Sequence, residues 1–124
     1  MKALKLLFVI TILLTPFLVS GQQEDVIDNK NELIEAAKNC NYASVSEVLK
    51  NGFSVNATDE YGKTALHWAI VCGNPEVIKL LLFYNADVQI ADFNGMKPID
   101  YARLFEQNEI VMILQDKVKE NISM

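Results

Sequence analysis

Asp59-Glu60-Tyr61-Gly62-Lys63-Thr64-Ala65-Leu66-His67-Trp68-Ala69 is the stretch from which the rest of the chain can be read. Thr64 is a helix N-cap: its side-chain oxygen can accept from the unpaired N–H groups of a first helical turn. Ala65 to Ile70 follow as a short apolar helix that ends near Gly73. Asn74 then caps a second helix, with Pro75 at its first position, where no backbone N–H is required. Val77, Ile78, Leu81 and Leu82 recur at helical spacing and form the stripe by which that helix is buried. Asn85 tolerates positive φ and predicts the stop.

The same pattern returns when the chain is laid on itself at a shift of 33 residues. Asp59 then meets Asp92, Gly62 meets Gly95, Ala69 meets Ala102, Glu76 meets Glu109 and Leu81 meets Leu114. Shifted the other way, Leu33 meets Leu66, Ala36 meets Ala69, Val48 meets Leu81 and Val55 meets Val88. A fixed period of this length marks a stack of supersecondary units, each too small to bury its own apolar face. Pro98 opens the third copy's first helix, and Asn31 and Asn41 take the two cap positions of the first. Gly52 stands where the middle copy has Asn85, so the chain is expected to turn at the same point twice.

These residues resemble the ankyrin repeat. Asp59 to Ala69 is similar to the family's D-x-x-G-x-T-P-L-H-x-A signature, and Asn85-Ala86-Asp87-Val88-Gln89 to its G-A-D-V-N turn. The resemblance covers residues 31–117, divided into repeats at about 31–58, 59–91 and 92–117. It implies an all-α solenoid of about three helix-turn-helix repeats with turns projecting as fingers. It also implies structural roles for Asp59, Gly62, Thr64, His67, Asp92 and Gly95, with His67 tying one turn to its neighbour. The third copy departs from the pattern: Lys97 replaces the capping Thr and Asp100 the His, which predicts weaker internal hydrogen bonding there.

Ahead of the repeats, residues 1–21 carry Lys2 and Lys5, then 14 uncharged residues from Leu6 to Val19, then Val19-Ser20-Gly21. As a helix that apolar run would be about 21 Å long, short of the ~30 Å hydrocarbon core of a bilayer. The order of charge, apolar run and small residues reads as a secretory signal peptide. It predicts a secreted or periplasmic protein starting at Gln22, with a polar segment at 22–30 and a tail at 118–124. Retention of residues 1–21 would instead make a membrane-anchored adaptor. The whole chain has 124 residues and net charge −5, and removal of the leader takes the charge to −7. Such acidity argues against a phosphate-tracking nucleic-acid surface and favours a basic protein partner.

Chemistry has little to work with. His67 is the only histidine, and Cys72 lies about 140° around a helix from it. One His and two Cys fall short of the four sulfur and nitrogen ligands of a structural zinc site. Phosphate-binding and nucleophile-elbow motifs are missing from the sequence. No catalytic residue, cofactor, metal or small-molecule substrate is therefore expected. Cys40 and Cys72 leave two states open, a disulfide or two thiols, because stacked helices lie about 8–10 Å apart while a bridge needs closer Cα atoms. Two glycosylation sequons occur, at Asn56 and Asn121; by the resemblance Asn56 braces a turn, which leaves Asn121 the more accessible.

The family's variable surface maps here to Glu60, Tyr61, Lys63 and Val71, and one repeat on to Phe93, Asn94, Met96, Leu104 and Phe105. Several are large and apolar where a solvated surface would carry charge, which marks a contact site. The alternative is that the tail, through Val118 and Ile122, folds over Leu104 and Phe105. Trp68 and Tyr101 read as packing between first helices. The expected function is non-enzymatic protein binding, with inhibition or regulation of an exported enzyme as one form of it.

Overall fold

The computed structural model describes residues 29–123. The expected leader, most of the 22–30 segment and Met124 lie outside the described residues. Six helices follow one another: α1 (Asn29–Lys38), α2 (Tyr42–Lys50), α3 (Ala65–Cys72), α4 (Pro75–Phe83), α5 (Pro98–Leu104) and α6 (Asn108–Ser123). They form three antiparallel pairs, and no strand occurs among the described residues beyond an isolated bridge between Thr58 and Thr64. The all-α solenoid expected from the sequence is the architecture found.

Capping chemistry starts the four helices from α2 to α5. The Thr64 hydroxyl accepts from the His67 N–H to start α3, and Gly73 ends that helix in the left-handed region. Asn41 and Asn74 accept from the first N–H groups of α2 and α4. In α5 only half of the arrangement survives: the Asp100 carboxylate accepts from the Lys97 N–H at 2.9 Å. Asn31 lies inside α1 and does not cap it, since the helix is already under way at Asn29.

The first helices α1, α3 and α5 pack side by side as an inner layer, and each lies against its partner α2, α4 or α6. Between the layers run Leu33, Val45, Leu66, Ile70, Val77, Ile78, Leu81 and Leu114, all essentially sealed from solvent. Truncation of one such leucine to alanine costs about 2–5 kcal/mol. Trp68 and Ile99 are half-buried against the same core.

The C-terminal residues differ from expectation. Residues 118–123 continue α6 and do not form a separate tail. Nothing in Lys117–Asn121 breaks a helix, and Lys117 pairs with Glu120 one turn on. Val118 packs against the core while Ile122 stays exposed, so Leu104 and Phe105 remain uncovered.

Cys40 and Cys72 are joined as a disulfide, with Cα atoms 6.1 Å apart. The spacing of 8–10 Å between helix axes does not apply to them. Cys40 sits in the turn after α1, at φ +55, and Cys72 is the last residue of α3.

Candidate functional site

Two finger turns project from the inner layer, and each is built on an aspartate. Asp59 Oδ1 accepts from the N–H groups of Tyr61 and Lys63, both at 2.9 Å. Asp92 Oδ1 does the same for Asn94 and Met96, at 2.9 and 3.0 Å. The second carboxylate oxygen reaches down to the following helix. Asp59 Oδ2 accepts from the Trp68 indole at 2.7 Å, and Asp92 Oδ2 from the Tyr101 hydroxyl. Trp68 and Tyr101 therefore donate hydrogen bonds as well as pack. The signal was a nine-residue Asp-to-aromatic spacing that occurs twice.

Burial alone would raise both carboxyls. The Trp68 bond and the backbone N–H groups of Lys63 and Tyr61 outweigh it at Asp59, which stays below the usual carboxylate range. At Asp92 the Tyr101 hydroxyl, the N–H groups of Met96 and Asn94 and the Lys63 charge do the same.

Lys63 is placed otherwise than its fingertip position suggested. Its side chain is only 14% exposed, and its ammonium lies 3.6 Å from the Asp92 carboxylate. The same nitrogen lies 5.4–5.5 Å from the ring centroids of Tyr61, Trp68 and Tyr101. This charge is spent on holding three aromatic rings together and is not free to steer a partner. Lys38 is similarly engaged, 2.8 Å from Glu35 and 4.9 Å from the Trp68 ring centroid.

His67 is fully buried. Its Nδ1 accepts from the Thr64 N–H at 3.0 Å, with the Thr64 hydroxyl 2.9 Å from the same atom. The other nitrogen, Nε2, faces the Met96 carbonyl oxygen at 3.0 Å. A carbonyl only accepts, so the ring is the Nε2–H tautomer. Burial holds its pKa below the ordinary histidine value, against the opposing pull of that carbonyl and of Asp92. Both nitrogens are engaged in hydrogen bonds within the fold.

Large apolar side chains stand exposed around these turns. Phe93 is 78% exposed, Leu104 63% and Tyr61 55%, with Val71 and Phe105 also exposed. Glu60 and Asn94 accompany them on the fingertips, both exposed. Met96 does not: it is half-buried against the core and serves the site through its carbonyl. The exposed rings are linked through their neighbours. The Phe93 N–H donates to the Tyr61 carbonyl at 3.0 Å, Tyr61 flanks Lys63, and Tyr101 stacks on Phe105 at 6.4 Å.

Two further contacts join repeats. The Gln107 amide donates to the Ile70 carbonyl at 2.8 Å, a link that no sequence pattern indicated. Asn56 accepts from the Asp87 N–H at 2.8 Å, the bracing role that the resemblance implies. Asn56 and Asn121 line one cavity of about 340 Å³, Asn56 half-buried and Asn121 exposed. Among the described residues no cluster of His, Cys, Asp and Glu could hold a metal ion, and no helix is long and apolar enough to cross a membrane.

The family model for ankyrin repeats in three copies matches residues 7–92 and 33–123. The chain is 33% identical over 93 residues to the Notch-regulated ankyrin repeat-containing protein of Xenopus laevis, covering 72% of this chain and 82% of that protein. It is 33% identical over 89 residues to the Homo sapiens protein of that name, covering 68% and 78%. A 57-residue stretch is 47% identical to palmitoyltransferase ZDHHC17 of Danio rerio, covering 45% of this chain but 9% of the enzyme. With three stacked helix pairs, paired finger turns and these matches, the chain belongs to the ankyrin-repeat family of protein–protein interaction modules.

Proposed function

We propose that this protein is an exported, non-enzymatic module that binds another protein through its fingertips and the exposed side of α3 and α5. The observation that carries the reading is the set of large apolar side chains Tyr61, Phe93, Val71, Leu104 and Phe105, all left exposed. Large exposed aromatic side chains on pre-ordered turns cost little ordering entropy on binding, and aromatic anchors dominate protein interfaces. A basic partner fits, because Lys63 and Lys38 are both neutralised by neighbours while Glu60 has no ion pair among the described residues.

The test is affinity capture with Gln22–Met124 as bait, in parallel with a Tyr61→Ala/Phe93→Ala/Leu104→Ala variant of unchanged circular dichroism. Capture by the native bait and loss with the folded variant support the fingertip site; equal capture by both refutes it. Export rests on the composition of residues 1–21 and is supported by the disulfide, since such bonds persist in oxidising compartments. The first family match begins at residue 7, inside that segment. N-terminal sequencing of the protein from its own cells decides: a start at Gln22 establishes cleavage, and a start at Met1 makes residues 1–21 an anchor or part of the stack.

A further inference from the structure

We propose that the Cys40–Cys72 disulfide is a redox-governed clamp that locks the N-terminal repeat onto the middle one. The cross-link joins two corresponding turns. Cys40 stands in the turn after α1 at the position that one repeat later is Gly73 (φ +82), and Cys72 immediately precedes that glycine. The one-residue offset brings the Cα atoms to 6.1 Å, inside the 4.4–6.8 Å that a disulfide spans.

The φ of +55 at Cys40 lies in the left-handed region, where glycine is unstrained and a side chain is not. The middle repeat uses glycine there and the third carries Glu106 at the same φ of +55, so the position admits a side chain, and in the first repeat that side chain reaches Cys72.

The repeat that is tied is the N-terminal one, which among the described residues has a neighbouring repeat on one side only. Its buried hydrophobic side chains are Leu33, Ile34, Ala36, Ala37, Val45, Val48 and Leu49, none of them larger than leucine and two of them alanines. It has no finger turn of its own among the described residues and no partner to the His67–Met96 link that ties the second repeat to the third. The clamp adds a covalent tie to the Asn56–Asp87 hydrogen bond that already joins the two repeats. It also fixes Lys38 over the Trp68 ring, at the edge of the aromatic face.

Both cysteines are half-buried, so a small thiol or disulfide can reach them. Formation proceeds by exchange with a low-molecular-weight disulfide such as glutathione disulfide. One cysteine thiolate attacks it and releases one thiol; the second thiolate attacks the mixed disulfide and releases the other. Two electrons pass from the cysteines to the oxidant, and their two protons end on the released thiols. A dithiol reductant reverses both steps.

The clamp does not depend on any binding partner, so its test stands apart from that of the proposed function. The chain as isolated is equilibrated in oxidised or reduced glutathione buffer, and its thiols are counted after denaturation. Hydrogen exchange and thermal melting are then followed in each state. The expected result is no free thiol in the oxidised chain. Reduction lowers the melting midpoint by about 10–20 °C and speeds exchange at residues 33–50 at least tenfold more than at residues 77–82. The variant Cys40→Gly, free of backbone strain, melts below the oxidised parent and no longer responds to reductant. Two free thiols under oxidising conditions, an unchanged midpoint on reduction, or uniform loss of protection across all three repeats overturns the proposal. So does a Cys40→Gly chain that melts at or above the oxidised parent.

Discussion

His67 Nε2 donates to the carbonyl oxygen of Met96 at 3.0 Å, and by that bond the second repeat holds the finger of the third. The two residues lie 29 positions apart in sequence. Because Nδ1 is occupied by Thr64, the ring has no freedom to flip or to change tautomer. His67→Ala leaves the Met96 carbonyl and the Thr64 N–H without their partner and opens a cavity. The expected loss is about 2–4 kcal/mol in urea unfolding. A loss under about 0.5 kcal/mol would show that the bond is not what couples the repeats.

Acid should weaken the fold in two separate windows. His67 is held neutral by burial, so its native pKa lies below the ordinary 6.5. Below about pH 6.5 the unfolded chain binds a proton that the native ring resists, so stability falls from there until the native value is passed. Asp59 and Asp92 are held below the ordinary 3.8, so their contribution is intact above that pH and is lost as pH drops through their native values. Melting followed from pH 8 to pH 2 should show both steps. His67→Gln should erase the upper one and leave the lower one.

Asp92 and Tyr101 should be energetically coupled. Tyr101→Phe removes the hydroxyl donor and leaves a buried carboxylate oxygen short of a partner, at a cost of about 1–3 kcal/mol. In a double-mutant cycle with Asp92→Asn the coupling should exceed about 0.5 kcal/mol. Strict additivity would mean that the hydroxyl is indifferent to the carboxylate.

The finger turns tolerate no side chain at Gly62. A Cβ there would stand 2.7 Å from the Phe93 ring and 3.0 Å from the Phe93 backbone nitrogen, on a residue at φ +78. Gly52 has a similar φ of +85 but open space around it. Gly52→Ala therefore pays the left-handed strain alone, about 1 kcal/mol, and Gly62→Ala should lose more. Equal melting temperatures for the two variants would refute the close packing of Phe93 on the turn.

Substitution of Leu104 by serine should separate binding from folding. Leu104 is largely exposed, so its removal should change stability by no more than about 0.5 kcal/mol. Capture of the partner should nevertheless fall at least tenfold, a loss of about 1.4 kcal/mol in binding. Undiminished capture would move the site away from α5.

Much of the fold was legible because each boundary is written in its own residues. Thr64, Asn74, Pro75 and Asn85 act on their immediate neighbours, so local chemistry suffices to place them. What escaped was settled by the third dimension. Lys63 reads as a fingertip charge until Asp92, from the next repeat, is seen to neutralise it. Met96 reads as surface because its neighbours are surface, yet its side chain turns inward to the core. The Cys40–Cys72 distance depends on a turn and a helix end, which the spacing of helix axes does not describe. Asn31 occupied a cap position by register, but register carries no information about where a terminal helix begins.

The bond from the Phe93 N–H to the Tyr61 carbonyl gives the two fingertips a common backbone, with the Phe93 ring pressed against Gly62. Neither tip can splay without the other. A partner seated on the tips, as proposed, would meet one fixed contour and not a family of shapes to be sampled. Mechanically the pair behaves as a beam fixed at two points, and a load on either aromatic tip is shared by both aspartate anchors beneath.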